Sequence, residues 1–323
     1  MRQSLWSVGC LRRTALRSSL GILALWAMPV AAEENATQPL RRELGPHVFI
    51  PREAVIDPFT TTFVGSETGI AYGSAVGPTF NVNGQPVALA DYKIIGYSQT
   101  FTGQYGFFDW WALRFRASGV VYGGANGSAA AGIGLNAVAR FGAGTTLSWQ
   151  FAPTLRAGLL FDVGFGPSIG LDILQSIVQS IADKAVVTPV QSTGSTTLTP
   201  ALSLAWTFAR GFGLIVNASY THNSVKADAA NTSLDSLGFG GALDLDLREL
   251  GTIPLGLAVS YSAAYSIGEA KFRNYVLAGG LFYTGRQNLT LGLELAYRRA
   301  PIGAEDVFVK SIFGLIVLRY NFD

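Results

Sequence analysis

From about residue 60 onward the chain runs in segments of roughly ten residues whose apolar side chains recur at every second position. In Leu255–Tyr265 the set Leu255, Leu257, Val259, Tyr261 and Tyr265 alternates with Gly256, Ala258, Ser260, Ser262 and Ala264. Residues 289–298 oppose Leu289, Leu291, Leu293, Leu295 and Tyr297 to Thr290, Gly292, Glu294, Ala296 and Arg298. Residues 237–248 set Leu243, Leu245 and Leu247 against Asp244, Asp246 and Arg248, and residues 111–121 set Trp111, Leu113 and Phe115 against Arg114, Arg116 and Ser118. Side chains two apart share one face of a strand, so each segment has one greasy face and one polar or small face. A helix needs a different period.

A soluble sandwich also alternates, and three features separate the two cases. The segments are about ten residues long, the length that crosses a bilayer at a tilt, rather than the usual five or six. Aromatic residues sit at the ends of the apolar faces: Trp206, Phe208, Tyr261, Tyr265, Tyr283, Tyr297, Tyr320 and Phe322. Such belts mark membrane interfaces. The other face is built from Gly, Ser, Thr and Ala, where a soluble exterior would carry Lys and Glu. Composition agrees: apolar residues make up 49% and charged residues 14%, against roughly 25% charged in soluble domains. Beyond the N-terminal leader no apolar run is long enough for a spanning helix. The reading is an all-β membrane protein, a closed antiparallel transmembrane β-barrel.

About twelve strands are expected, near 60–73, 92–103, 110–122, 141–151, 155–166, 198–209, 212–222, 236–248, 254–266, 272–284, 288–298 and 310–322. The connections alternate between short ones and generally longer ones, the largest being 123–140, 167–197 and 223–235. Short periplasmic turns and long outside loops follow this rule. Two long connections carry helical spacing, Leu171–Lys184 with its apolar stripe and the Ala-rich Ser128–Arg140, so short extracellular loop helices are expected.

Ahead of the barrel, Arg2, Arg12, Arg13 and Arg17 precede an apolar stretch from Leu20 to Val30 and the small residues Ala31 and Ala32. Residues 1–32 therefore read as a cleavable signal peptide. Residues 33–58, punctuated by Pro39, Pro46, Pro51 and Pro58, read as a periplasmic N-terminal arm, and 59–323 as the barrel. The single cysteine, Cys10, leaves with the leader. Loss of the four leader arginines turns the formal charge from +2 to about −2, so no basic footprint for nucleic acid remains.

The leader, the alternating strands and the closing strand Ile312–Phe322 resemble bacterial outer-membrane β-barrel proteins in general, over about residues 60–322. The resemblance implies location in the bacterial outer membrane and contact with outer-membrane lipid and lipopolysaccharide. It also implies insertion by the barrel-insertion machinery through a terminal aromatic signal, matched here by Tyr320 and Phe322. The final Asp323 departs from that pattern.

The expected lumen holds Arg114, Arg116, Arg156, Asp162, Asp244, Asp246, Arg248, Glu294, Arg298 and Arg319. Mixed charges inside a barrel either line a wet constriction or knit the wall by salt bridges. The first gives a narrow channel or transporter for small solutes, and the second a plugged structural or adhesion barrel. Arg114 and Arg116 are expected to face Asp244 and Asp246 across the lumen. About twelve strands leave only a small lumen.

Enzymatic chemistry has little to stand on, and no cofactor or metal is expected. Histidines occur only at 47 and 222. His222-Asn223-Ser224 places a base and a nucleophile on one strand face and is similar to the His-x-Ser-Asn motif of outer-membrane phospholipase A and lipid A deacylase. Val225 stands where that motif has Asn. The expectation is no enzyme, with lipid hydrolysis a third reading.

Overall fold

The computed structural model describes residues 42–52, 54–75, 79–82, 85–88, 92–126, 129–171, 190–227, 230–251, 253–268, 273–286, 288–301 and 308–322. In chain order the elements are β1 (Glu43–Leu44), β2 (His47–Val48), β3 (Phe63–Ala75), β4 (Thr79–Val82), β5 (Gln85–Ala88), β6 (Tyr92–Phe108), β7 (Trp111–Asn126), β8 (Ala129–Ala152) and β9 (Leu155–Leu171). There follow β10 (Val190–Ala209), β11 (Phe212–Ala227), β12 (Ala230–Asp246), a one-turn helix α1 (Leu247–Leu250), β13 (Leu255–Ile267), β14 (Arg273–Arg286), β15 (Leu289–Pro301) and β16 (Phe308–Asn321).

Twelve of these strands form a closed antiparallel barrel. Each pairs with its sequence neighbours, and β16 closes on β3 from Val309↔Ala75 to Asn321↔Phe63. Closure leaves no wall strand with an unpaired edge, the condition a sheet must meet in hydrocarbon. Among the described residues no helix is long and apolar enough to cross a membrane; a closed barrel is the other structure that can span one.

The alternation in sequence appears as two faces of the wall, inverted relative to a soluble protein. On β15, Leu295 is 65% exposed while its neighbour Glu294 is 7% exposed. On β13, Leu257, Val259 and Tyr261 are exposed, and Ala258 and Ser260 are buried. Leaving the large apolar residues outside is favourable only against lipid. Aromatic rings gather at the end of the barrel where the described termini lie. Phe107 stacks on Trp111 with centroids 4.6 Å apart, Phe108 on Trp110 at 5.3 Å, and Tyr320 meets Phe322 edge-on at 5.1 Å. The turn Arg210-Gly211 at this end is tight because Gly211 takes φ 74°, a conformation that favours glycine.

The expected strands all form, and several extend beyond their expected ends. The clearest departure is Ser128–Arg140, where a helix was expected. Its described residues, from Ala129, belong to β8 and pair with β7, for instance Val138↔Val120 and Arg140↔Ser118. Alanine favours a helix in isolation, but a neighbouring strand with open backbone groups overrides that preference. The other expected loop helix, Leu171–Lys184, lies outside the described residues beyond Leu171, the last residue of β9.

The core sits inside the wall. Leu44, Phe49 and Val55, from the segment expected as a periplasmic arm, and Phe59, the first residue after it, pack with Ala205, Ile215 and Ala242 of the inner wall. Ile50 joins Ala258, Phe282 and Val317 in a second cluster. These contacts reach β10, β11, β12, β13, β14 and β16, so the described part of residues 42–59 lies within the lumen. Five large apolar side chains in an otherwise Pro-punctuated segment need burial, at about 1.5–3 kcal/mol each. The inner wall makes room with glycine: a Cβ at Gly213 would collide with His47 and Phe49, and one at Gly256 would stand 2.6 Å from Ile50 Cδ1.

Candidate functional site

The site is the lumen together with this inserted segment. The segment folds on itself first. Phe49 N–H donates to the Arg42 carbonyl at 2.8 Å, and Arg42 Nε returns a bond to the Phe49 carbonyl at 3.2 Å. Arg42 also pairs with Asp57. Burial alone would raise the Asp57 carboxyl, but Arg42 and the more distant Arg319 outweigh it and hold it below its ordinary range. His47 is fully buried beside Phe49, and burial lowers its pKa to about 4, only partly offset by the Gly211 backbone.

The wall then grips the segment at intervals. Thr207 Oγ1 donates to the Leu44 carbonyl at 2.9 Å, Ser203 Oγ to the Ile56 carbonyl at 2.6 Å, and Gln104 Nε2 to the Phe59 carbonyl at 2.8 Å. Ile50 N–H donates to Asp244 Oδ2 at 3.0 Å. Arg52 pairs with Glu294 at 2.9 Å, with both side chains almost wholly buried. Arg52 also donates to the Ala258 carbonyl at 3.2 Å, and its guanidinium lies 5.0 Å from the Phe282 ring centre.

The charges expected to face one another across the lumen therefore find other partners. Arg114 holds Asp162, two strands away, through one nitrogen at 2.7 and 2.6 Å from the two carboxylate oxygens. Asp244 meets the inserted backbone. Asp246 accepts from Arg248 N–H at 3.0 Å and from Thr284 Oγ1 at 2.9 Å, capping α1. A carboxylate buried without partners costs several kcal/mol, and the inserted segment and the turn supply donors nearer than the far wall. Arg248, in the α1 turn, bonds the Thr284 carbonyl at 3.3 Å. Arg156 donates to the Asp109 carbonyl at 2.7 Å and lies over Phe59. Arg298 points inward nearer the other end, within electrostatic range of Arg140. Tyr320 and Phe322, expected as the insertion signal, are exposed on the outer face.

Beside the segment, on the side of β3, β6, β7, β8, β9 and β16, the lumen keeps a cavity of about 430 Å3. Arg114, Arg116, Arg140, Asp162, Glu67 and Arg319 line it. Arg319 Nη2 and Glu67 Oε2 are buried with no hydrogen-bond partner among the described residues. Glu67, Arg140 and the inserted segment escaped the sequence reading. Helical spacing covers Arg140, and the prolines of 33–58 mask the apolar residues between them.

Other chemistry is sparse. Among the described residues no group of three or more His, Cys, Asp or Glu is placed to hold a metal ion. His222 Nδ1 lies 2.7 Å from Asp235 Oδ1, on the outer face with Tyr220 and Ser224.

No protein-family model matches the chain, and comparison with curated proteins gives no match. Solved structures do resemble it. The translocator domain of the autotransporter NalP from Neisseria meningitidis aligns with TM-score 0.53 and 12% identity, over 82% of this chain and 90% of that one. The transport unit of the autotransporter AIDA-I from Escherichia coli gives 0.53 and 9%, over 81% and 90%. An outer-membrane channel from Pseudomonas putida F1 gives 0.51 and 11%, over 85% and 100%. At such identity the likeness is one of fold. Fold and apolar belt together define the class: a transmembrane β-barrel of the bacterial outer membrane.

Proposed function

We propose that this barrel is a narrow passage for small polar solutes, closed at its periplasmic half by its own residues 42–59. The observation that carries the reading is the cavity of about 430 Å3, lined by charged side chains of both signs. Buried polar atoms without partners, such as Arg319 Nη2, call for water or a solute. A wall meant only to be filled has no need of such a space. The Pseudomonas putida F1 protein of similar fold is described as an outer membrane channel, and the two autotransporter structures as a translocator domain and a transport unit.

A second reading, a permanently plugged structural barrel, is favoured by how fully the segment is gripped, above all by the Arg52–Glu294 pair. Planar-bilayer conductance of the refolded barrel separates the two. Removing residues 33–57 should turn a mostly closed barrel into a steadily conducting one, with folding checked by heat-modifiable gel migration. A shortened barrel that folds and remains as silent as bare lipid would leave only the structural reading.

A further inference from the structure

At the end of the barrel away from the described termini, one register row crosses five adjacent strands on the outer face. Tyr275 of β14 pairs with Arg299 of β15, Arg299 with Lys310 of β16, Lys310 with Ser74 of β3, and Ser74 with Lys93 of β6. Two residues nearer the bilayer centre, the same strands present Leu277, Tyr297, Ile312, Tyr72 and Ile95, which fixes the row as outward-facing. Arg273, two residues beyond Tyr275 on β14, extends the basic surface. Neighbouring strands lie about 4.8 Å apart, so Arg299, Lys310 and Lys93 fall within roughly 15 Å of one another.

Among the described residues the row contains no carboxylate. Two of its cations and the flanking Arg273 rest on ring faces: Arg299 lies 3.8 Å from the Phe308 ring centre, Lys93 5.8 Å from that of Tyr72, and Arg273 5.7 Å from that of Tyr265. The charge is also one-sided. On β11 and β12 the outer face carries His222 paired with Asp235 at 2.7 Å. Like charges directly opposite on paired strands destabilise a sheet, and Arg299 and Lys310 are such a pair. An anion bound between them would reverse that cost.

The position says which anion. The row stands directly above exposed apolar and aromatic side chains, at the depth where lipid headgroups meet the hydrocarbon. Arginine offers a fork for phosphate oxygens and lysine a point charge, while the rings and aliphatic residues below accept acyl chains. We propose that Lys93, Arg299 and Lys310, flanked by Arg273, form a docking site for the phosphorylated headgroup of outer-leaflet lipopolysaccharide. The site is independent of whether the lumen conducts.

Native mass spectrometry of the full barrel in non-ionic detergent tests this, with bisphosphorylated lipid A and its dephosphorylated form as probes. The wild type should retain the phosphorylated lipid roughly tenfold better, as expected for two charge-assisted contacts. The combined variant Lys93→Gln, Arg299→Gln, Lys310→Gln should retain both equally, and Lys226→Gln on β11 should behave as wild type. If the combined variant fails to fold, Lys310→Gln alone and a salt titration of the wild type serve, with retention falling as salt screens the contacts. Equal retention of both lipids by the wild type, salt-independent retention, or complete displacement by millimolar inorganic phosphate would overturn the proposal.

Discussion

Replacing Glu294 by glutamine isolates the interaction that seats the inserted segment most firmly. The carboxylate meets Arg52 at 2.9 Å, with side-chain exposures of 6% and 1%. Removing one partner of a buried pair costs about 3–5 kcal/mol, because the remaining charge stays in low dielectric. Arg52 would keep its bond to the Ala258 carbonyl at 3.2 Å and its place over Phe282, so the lower end applies. About 3 kcal/mol is roughly a 150-fold shift of the seated-to-released ratio. Replacing both partners, Arg52→Met with Glu294→Leu, removes the charges together and supplies apolar groups against Phe282. Such exchanges are often neutral or stabilising, so the double variant should return to within about 1 kcal/mol of wild type. The assay is the closed-to-open dwell ratio in single-channel records, read alongside protease access to the segment. A Glu294→Gln barrel that folds and keeps the wild-type ratio, or a double variant no better than the single, would refute the reasoning.

Acidification should release the segment. Seated His47 titrates near pH 4 while a released one titrates near its ordinary 6.5, so the released state binds more protons between these values and seating weakens as pH falls through them, by about 3 kcal/mol in all. Asp57, held below its ordinary range by Arg42, acts in the same direction at lower pH, its contribution being present above the ordinary carboxylate value and lost as pH falls through the seated one. Conductance flat from pH 7 to 4, or an unchanged profile in His47→Phe, would contradict this. Gly213→Val should likewise favour the open state, since its side chain enters the space of His47 and Phe49 and overpacking costs about 1–3 kcal/mol. Gly314→Ala, where a Cβ meets nothing within 4 Å, should leave the open fraction unchanged.

The wall was legible because its outer face must be apolar at every second residue, as Leu291, Leu293 and Leu295 show, and because lipid tolerates few exceptions. The inner face is less constrained. Its charged residues could be listed from the alternation, but not paired, since pairing depends on what else enters the lumen. Asp244 found a backbone N–H of Ile50, from a segment whose buried residues follow no helical or strand period. The signal present was local: Val48-Phe49-Ile50 and Ala54-Val55-Ile56 are apolar triplets inside a proline-rich stretch. Over Ala129–Arg140 the reason is the opposite: alanine content suggests a helix, while the unpaired edge of β7 imposes a strand.

The most direct test of the central claim is to lock the segment in place. A Cβ at position 256 would stand 2.6 Å from Ile50 Cδ1, and Cδ1 lies about 2.5 Å from its own Cβ, so cysteines at 50 and 256 would have Cβ atoms at most about 5 Å apart, near the span of a disulfide. In a barrel carrying Ile50→Cys and Gly256→Cys with Cys10 replaced, the disulfide should form in the folded state. It should hold conductance at the closed level even at pH 4, and reductant should restore acid-induced opening. A folded barrel in which the two thiols stay free, or one that conducts equally with the disulfide formed and reduced, would contradict the account.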